Sequence, residues 1–252
     1  MEDLHALRSL AEAAAARAGE VLRHNAGRLK TVESDSGRDV KAAGDRDAEQ
    51  ELLQVLEPTG IPILSEESGA SARDCLDGAC WILDPLDGTF NYVRGFPLSA
   101  VSVGFWSQGR VQFGVIHDVA TAACYTGQVG EGAWCNGVPL HVSGISDTRQ
   151  AVLATGFPTG RNFESRALAR FIASIQGFKK IRMIGSAALS LANVAAGSFD
   201  IYFEEDIWLW DVAAGLALVS AAGGTTRYSE IKDDWKMDVM AWNGRFDPPD
   251  AE

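Results

Sequence analysis

The segment Trp81-Ile82-Leu83-Asp84-Pro85-Leu86-Asp87-Gly88-Thr89-Phe90-Asn91-Tyr92 joins an apolar run to a pair of aspartates, a Gly-Thr step and an aromatic continuation. The apolar run reads as a buried strand. Asp-Pro and Asp-Gly are turn formers, so the strand is expected to stop at the aspartates. Carboxylates at a strand mouth, followed by backbone N–H groups, suit hard divalent cations bridged to a phosphate. The same piece also reads as a turn whose Asp side chains cap backbone N–H groups.

Working outward, other acids fall at element ends beside a glycine or a turn: Asp45, Glu66 with Glu67, and Asp211. Asp211 follows Trp208-Leu209-Trp210 and opens an apolar helix, an odd place for a charge unless it is an N-cap or a ligand. Leu4, Leu7, Ala14, Ala18 and Leu22 recur at helical steps, predicting a helix over roughly residues 3–25 that ends near Gly27. Residues 33–47 read as a loop or loose hairpin, and a second helix is expected from Asp47 to Leu56. Short strands are expected at 61–64, 81–83, 100–106, 111–116, 121–126 and 132–134, with Asn136-Gly137 a hairpin turn. Residues 70–79 read as loop. Further on, strands at 151–155, 180–184 and 201–204 alternate with helices at 165–175, 189–196 and 211–222. The tail from Phe246 is expected to be loose.

Helices and sheets alternate along the chain without a linker. The reading is therefore one α/β unit over 1–252, with an N-terminal α+β half at 1–145 and a C-terminal α/β half at 146–252. The net charge of -12 and the absence of a basic stripe argue against a nucleic-acid partner. An acidic protein that handles an anion needs local positive charge, which bound metal would supply. Cys75, Cys80, Cys124 and Cys135 have no zinc spacing and read as reduced structural thiols, favouring the cytoplasm. Neither a signal peptide nor a membrane span is visible, so no membrane partner is expected.

On these segments the chain resembles the inositol monophosphatase family of magnesium-dependent, lithium-sensitive sugar phosphatases. The family's D-P-[IL]-D-G-T-x-N-[FY] stands as Asp84 to Tyr92. Its W-D-x-A-[AG]-G, with A-G-G further on, stands as Trp210 to Gly215 and Ala222-Gly223-Gly224. Glu66-Glu67-Ser68 matches E-E-S, Asp45 and Glu49 match D-x-x-x-E, and Gly185-Ser186-Ala187-Ala188 matches G-[ST]-A-A. The likeness runs in order from about residue 39 to 224.

The resemblance implies a layered α-β-α-β-α sandwich of the sugar-phosphatase type. It implies two or three magnesium ions: Glu66 and the Leu86 carbonyl at a first site, Asp84 as a bridge, Asp87 and Asp211 at a second, and a weaker third near Glu66. Thr89 and Asp45 would polarise the attacking water. Gly88, Thr89 and Asp87 would stand against the substrate phosphate, and Gly185, Ser186, Ala187 and Glu204 against the sugar. Glu205 would replace Glu204 if a residue were inserted. The implied reaction is hydrolysis of a small phosphomonoester, first of all myo-inositol monophosphate, by metal-activated water without a phospho-enzyme. A cytoplasmic homodimer inhibited by lithium is the corresponding expectation.

Histidinol-phosphate, fructose-1,6-bisphosphate and 3′-phosphonucleotide phosphatases of the same superfamily are the alternatives, together with an inactive scaffold that keeps the fold. A calcium loop at Asp84 to Gly95 fits poorly, because the acids fall at the wrong positions. Departures from the family pattern are Ala42 where Thr is frequent, Tyr92 for Phe, and Trp208-Leu209 near the expected sugar pocket. The chain is also short after Gly224, so the last strand and helix are expected to be trimmed.

Overall fold

Strand alternation and small residues build a five-layer stack. The structure is a computed structural model describing residues 3–29, 31–36, 39–71, 75–157 and 164–248. The outer layer holds α1 (Leu4–His24) and α3 (Ala43–Leu56), linked by the short α2 (Ala26–Leu29) and the hairpin β1 (Val32–Ser36)/β2 (Asp39–Ala42). Asp3 caps α1 by accepting from the His5 and Ala6 N–H groups.

Beneath lies a sheet of eight strands in the order β10-β9-β8-β7-β6-β5-β3-β4. Its strands are β3 (Ile63–Ser65), β4 (Gly69–Ala70), β5 (Cys80–Asp87), β6 (Ala100–Ser107), β7 (Arg110–Asp118), β8 (Cys124–Gln128), β9 (Gly132–Cys135) and β10 (Val138–Leu140), with α4 (Thr89–Arg94) following β5. All strand pairs in this sheet are antiparallel except β3 with β5. Asn136 and Gly137 both have positive φ, which is the twist a tight hairpin needs. The central layer is α6 (Ala187–Ala195) against α7 (Leu209–Ala221).

A second sheet, ordered β12-β11-β13-β15-β14, follows: β11 (Val152–Thr155), β12 (Lys180–Arg182), β13 (Ile201–Trp208), β14 (Thr225–Tyr228) and β15 (Lys236–Trp242). Helix α5 (Ser165–Ile175) closes the stack. Period-two alternation divides the cores. Val101, Val103 and Phe105 of β6 pack with Ala14, Ala18 and Leu52 of the outer helices. Ile201 and Phe203 of β13 pack on Phe171 and Ile175 of α5, whereas Tyr202 turns to the central helices.

Helix α7 is apolar nearly all round because it is covered by sheets on both sides. It lies against Gly104, Gly114 and Gly127, which are register partners across β6, β7 and β8. A Cβ on Gly114 would stand 2.1 Å from the Ala214 carbonyl oxygen, and one on Gly127 would stand 2.8 Å from the Leu218 Cα. The glycine row lets helix backbone rest directly on sheet backbone.

Three expectations are corrected. Strand β5 does not stop at Asp84 but continues to Asp87 through a bulge. Asp84 pairs Ser102 and Asp87 pairs Ala100, so Pro85 and Leu86 together oppose Val101. Proline has no N–H to give the ladder and is tolerated there. The bulge matters for chemistry: residues three apart on a regular strand face opposite ways, and the extra residue brings Asp84 and Asp87 to one face. Helix α3 begins at Ala43 rather than Asp47, which places Asp45 in its first turn. Strands β14 and β15 follow Gly224, so the chain does not lack strands after that point. The expected loop at 70–79 and the loose tail lie outside the described residues at 72–74 and from 249 onward. Among the described residues no helix is long and apolar enough to cross a membrane.

Candidate active site

A cavity of about 240 Å³ opens where β5, α4, α6, β11, β13 and α7 meet. Glu66, Asp84, Leu86, Asp87, Gly88, Thr89, Gly185, Ser186, Ala187, Glu204 and Asp211 all line it. Of the residues given a catalytic, metal or substrate role on the resemblance, Asp45 stands outside the lining and reaches the cavity through Thr89, and Glu205, the runner-up to Glu204, does not line it.

Glu66 comes from the β3–β4 turn, Asp84 from the β5 bulge and Asp211 from the first turn of α7. Carboxylate oxygens of these residues lie within 4.8 Å of one another. No lysine or arginine lines the cavity among the described residues. Burial therefore holds Asp84 well above the usual carboxylate range, and the charges of Glu66, Asp87 and Asp211 push it further. Asp211 is raised by burial and then by Glu66, Asp87 and Glu204. Three all-oxygen anionic donors that oppose one another's charge are a fit for a hard divalent cation. Asp84 Oδ1 also accepts from the Leu86 N–H at 2.9 Å, so the capping reading of this aspartate and the ligand reading coexist.

Asp87 stands apart from that trio. It accepts from the Ser186 hydroxyl, from the Ala188 N–H at 2.9 Å and from the Ala187 N–H at 3.2 Å, all at the start of α6. Burial lifts its carboxyl to about 6, with these hydrogen bonds opposing the rise. Ser186 in turn accepts from the Leu189 N–H and caps α6. Asn91 of α4 donates to the carbonyls of Leu98, Ile184 and Gly185, which ties α4 to the start of α6. Gly88 has φ +83°, and a Cβ there would meet the Leu98 carbonyl at 2.8 Å, so only glycine fits between β5 and α4.

Thr89 Oγ1 lies 2.8 Å from Asp45 Oδ1 and 2.9 Å from the Leu86 carbonyl oxygen, with one proton to share between them. Asp45 Oδ2 accepts from the Ala42 N–H at 2.7 Å. Burial raises the Asp45 carboxyl to about 6, against the pull of the Ala42 and Thr89 hydrogen bonds.

Sequence reasoning missed the residues that hold Glu204. The Tyr202 hydroxyl donates to Glu204 Oε2 at 2.7 Å, and a Cβ on Gly156 would stand 2.5 Å from that carboxylate. Strand β13 is bulged between Glu204 and Ile207, with Asp206 at φ +56°, which turns both flanking side chains into the cavity. A Tyr two residues before a Glu on a strand is the one available signal, since both share a face. Trp208 lines the cavity and stacks on Trp210 at 5.9 Å, whereas Leu209 is fully buried in the central core and does not reach the pocket.

Oxygen donors for a cation beside helix-start N–H groups for an anion define a class, the hydrolases of phosphate monoesters. The sequence model of the inositol monophosphatase family matches residues 3–249, and the chain belongs to that family. It is 36% identical over 224 residues to bovine (Bos taurus) inositol monophosphatase 1, covering 83% of this chain and 79% of the relative. A solved inositol monophosphatase from Anabaena (Nostoc) sp. PCC 7120 superimposes with TM-score 0.82 at 32% identity, over 97% of this chain and 93% of that one. The extragenic suppressor protein suhB of Bartonella henselae superimposes with TM-score 0.84 at 30% identity, over 95% of each. The family is metal-dependent, and this chain is a phosphomonoester hydrolase.

Proposed function

We propose that the chain hydrolyses a small polyol phosphate, myo-inositol monophosphate first, with magnesium. The carrying observation is the meeting of the Glu66, Asp84 and Asp211 carboxylates with the Asp45–Thr89 pair in one cavity. Glu66, Asp84, Asp211 and the Leu86 carbonyl would hold magnesium, with Asp87 contributing to a second ion. Magnesium, when bound, supplies Lewis-acid stabilisation of charge on the phosphate and the leaving oxygen.

The remaining chemistry belongs to side chains. Thr89 donates to Asp45 and so turns its lone pairs toward a water in the cavity. As that water attacks phosphorus, the P–O bond to the leaving group breaks; the attacking water's proton passes to Thr89 Oγ1 while the Thr89 proton passes to Asp45, and the departing oxygen takes a proton from a second water. A carboxyl near 6 can hold a proton for the lifetime of such a step. The Gly88 and Thr89 N–H groups, left without intrahelical partners at the start of α4, face the phosphate. Glu204, fixed by Tyr202, accepts hydroxyls of the leaving group.

The test is phosphate release from inositol, sugar, nucleotide and histidinol phosphates, with magnesium or with EDTA. Magnesium-dependent release that favours a polyol phosphate supports the reading. Preference for a nucleotide or histidinol phosphate would overturn the substrate. Release from none, by folded and metal-loaded protein, would overturn the activity and favour a regulatory role. Thr89→Val should lower kcat by about 10²–10⁴-fold, whereas Thr89→Ser should keep most of it. Equal loss in both variants at matched metal would remove the hydroxyl from the proposed relay.

A further inference from the structure

We propose that Glu49 is a positioning residue that holds Glu66 at the metal site, an inference that rests on the metal reading above. Asp45 and Glu49 are one turn apart on α3 and so share a face. Asp45 aims at Thr89. Glu49, 8% exposed, aims at the turn that carries Glu66. Its Oε1 accepts from the Ser65 hydroxyl at 2.5 Å, the Ser68 hydroxyl at 2.8 Å and the Ser68 N–H at 3.1 Å. One carboxylate oxygen thus grips both shoulders of Ser65-Glu66-Glu67-Ser68.

The turn needs such a grip for two reasons. Its return strand β4 is two residues long and lies at the sheet edge, with Leu64–Ala70 and Ser65–Gly69 as its ladder pairs, the Ser71 N–H bonded to the Ile63 carbonyl beyond them and the Glu66 N–H bonded to the Leu83 carbonyl. A ladder this short fixes a turn weakly. In addition, Glu66 lies beside Asp84 and Asp211, whose carboxyls its charge raises, so ionising the trio sets like charges against one another. Glu49 resists that repulsion from α3, through three hydrogen bonds that converge on one acceptor oxygen. With the grip released, the Glu66 carboxylate is held less firmly in the trio, and a cation loses a ligand held in place before it arrives. The affected quantity is metal affinity; the Asp45–Thr89 pair is separate and keeps its geometry.

The experiment titrates Mn²⁺ into the metal-stripped full chain and counts free ion by EPR, with near-UV circular dichroism as the check on folding. Ser65→Ala/Ser68→Ala should weaken Mn²⁺ binding by about tenfold or more. Glu49→Gln keeps an acceptor oxygen in place and should stay within about threefold of the parent. At saturating metal, kcat of the serine variant should return to near the parent value, a split that general loosening of the fold would not give. Should the double variant fail to fold, Ser68→Ala alone carries the test with a smaller shift. Unchanged Mn²⁺ affinity in the folded serine variant, with affinity lost in Glu66→Gln, would overturn the role of Glu49 and leave the metal site standing. Unchanged affinity in Glu66→Gln as well would overturn both.

Discussion

Asp211→Asn should lower turnover by roughly three orders of magnitude and also raise the melting temperature of the metal-free protein. Both effects have one cause. Asp211 sits among Glu66, Asp87 and Glu204, and burial and these charges lift its carboxyl well above the ordinary range. The neutral amide keeps the shape, removes an anionic donor and relieves the repulsion. Each kcal/mol relieved is worth about 2–4 °C in a chain of this size.

The same argument fixes a pH dependence. Asp45 and Asp87 have folded carboxyls near 6, above the ordinary 3.8, and Asp84 and Asp211 are also raised. Above pH 3.8 and below the raised values, the folded state binds more protons than the unfolded one, so stability falls as pH rises through that window. The metal-free parent should therefore melt higher at pH 5 than at pH 7.5. Magnesium should raise the pH 7.5 melt by binding the folded state, and Asp211→Asn should flatten the pH slope. Scanning calorimetry in EDTA and in magnesium checks all of this. Near-normal turnover in a folded Asp211→Asn protein would end the ligand role proposed for it.

The segments of the candidate metal site were legible in sequence because each pairs an acid with a structural interruption. Asp84 and Asp87 sit against Pro85 and Gly88, Glu66 against a turn, and Asp211 after two tryptophans. What was hidden depends on register between distant strands. The β5 bulge exists only because Pro85 and Leu86 face a single residue of β6, and no local pattern states that pairing. Expecting the strand to end at the aspartates therefore put the turn chemistry ahead of the ladder. Tyr202 drew no attention in the sequence, although the face it shares with Glu204 lets one hold the other. Strand β15 escaped notice because Lys236 and Asp238 dilute its apolar pattern, while Met237, Val239 and Ala241 are nonetheless buried against the central helices.

Gly114→Val should be the most damaging single change outside the cavity, costing more than about 4 kcal/mol or preventing folding. Read alone, a glycine inside a strand weakens it and suggests a bulge. Here Gly114 is paired with Gly104 on one side and Gly127 on the other, and the row is the bed of α7. A Cβ at Gly114 would fall 2.5 Å from the Ala214 Cα, and backbone on both sides leaves no rotamer to yield. The helix would have to rise from the sheet. Asp211 lies one turn before Ala214 on that helix, whereas Asp84 stays with the sheet. Any lifting of α7 therefore separates two members of the carboxylate trio. Even a fraction of Gly114→Val that folds should bind Mn²⁺ more weakly than the parent. Gly27→Ala, at a site with open space around its Cβ, is the control and should melt within a degree or two of the parent. A parent-like melt and parent-like Mn²⁺ affinity in Gly114→Val would show that the helix does not rest on the glycine row. If both fall together, the row that seats the central helix also sets the spacing of the carboxylates.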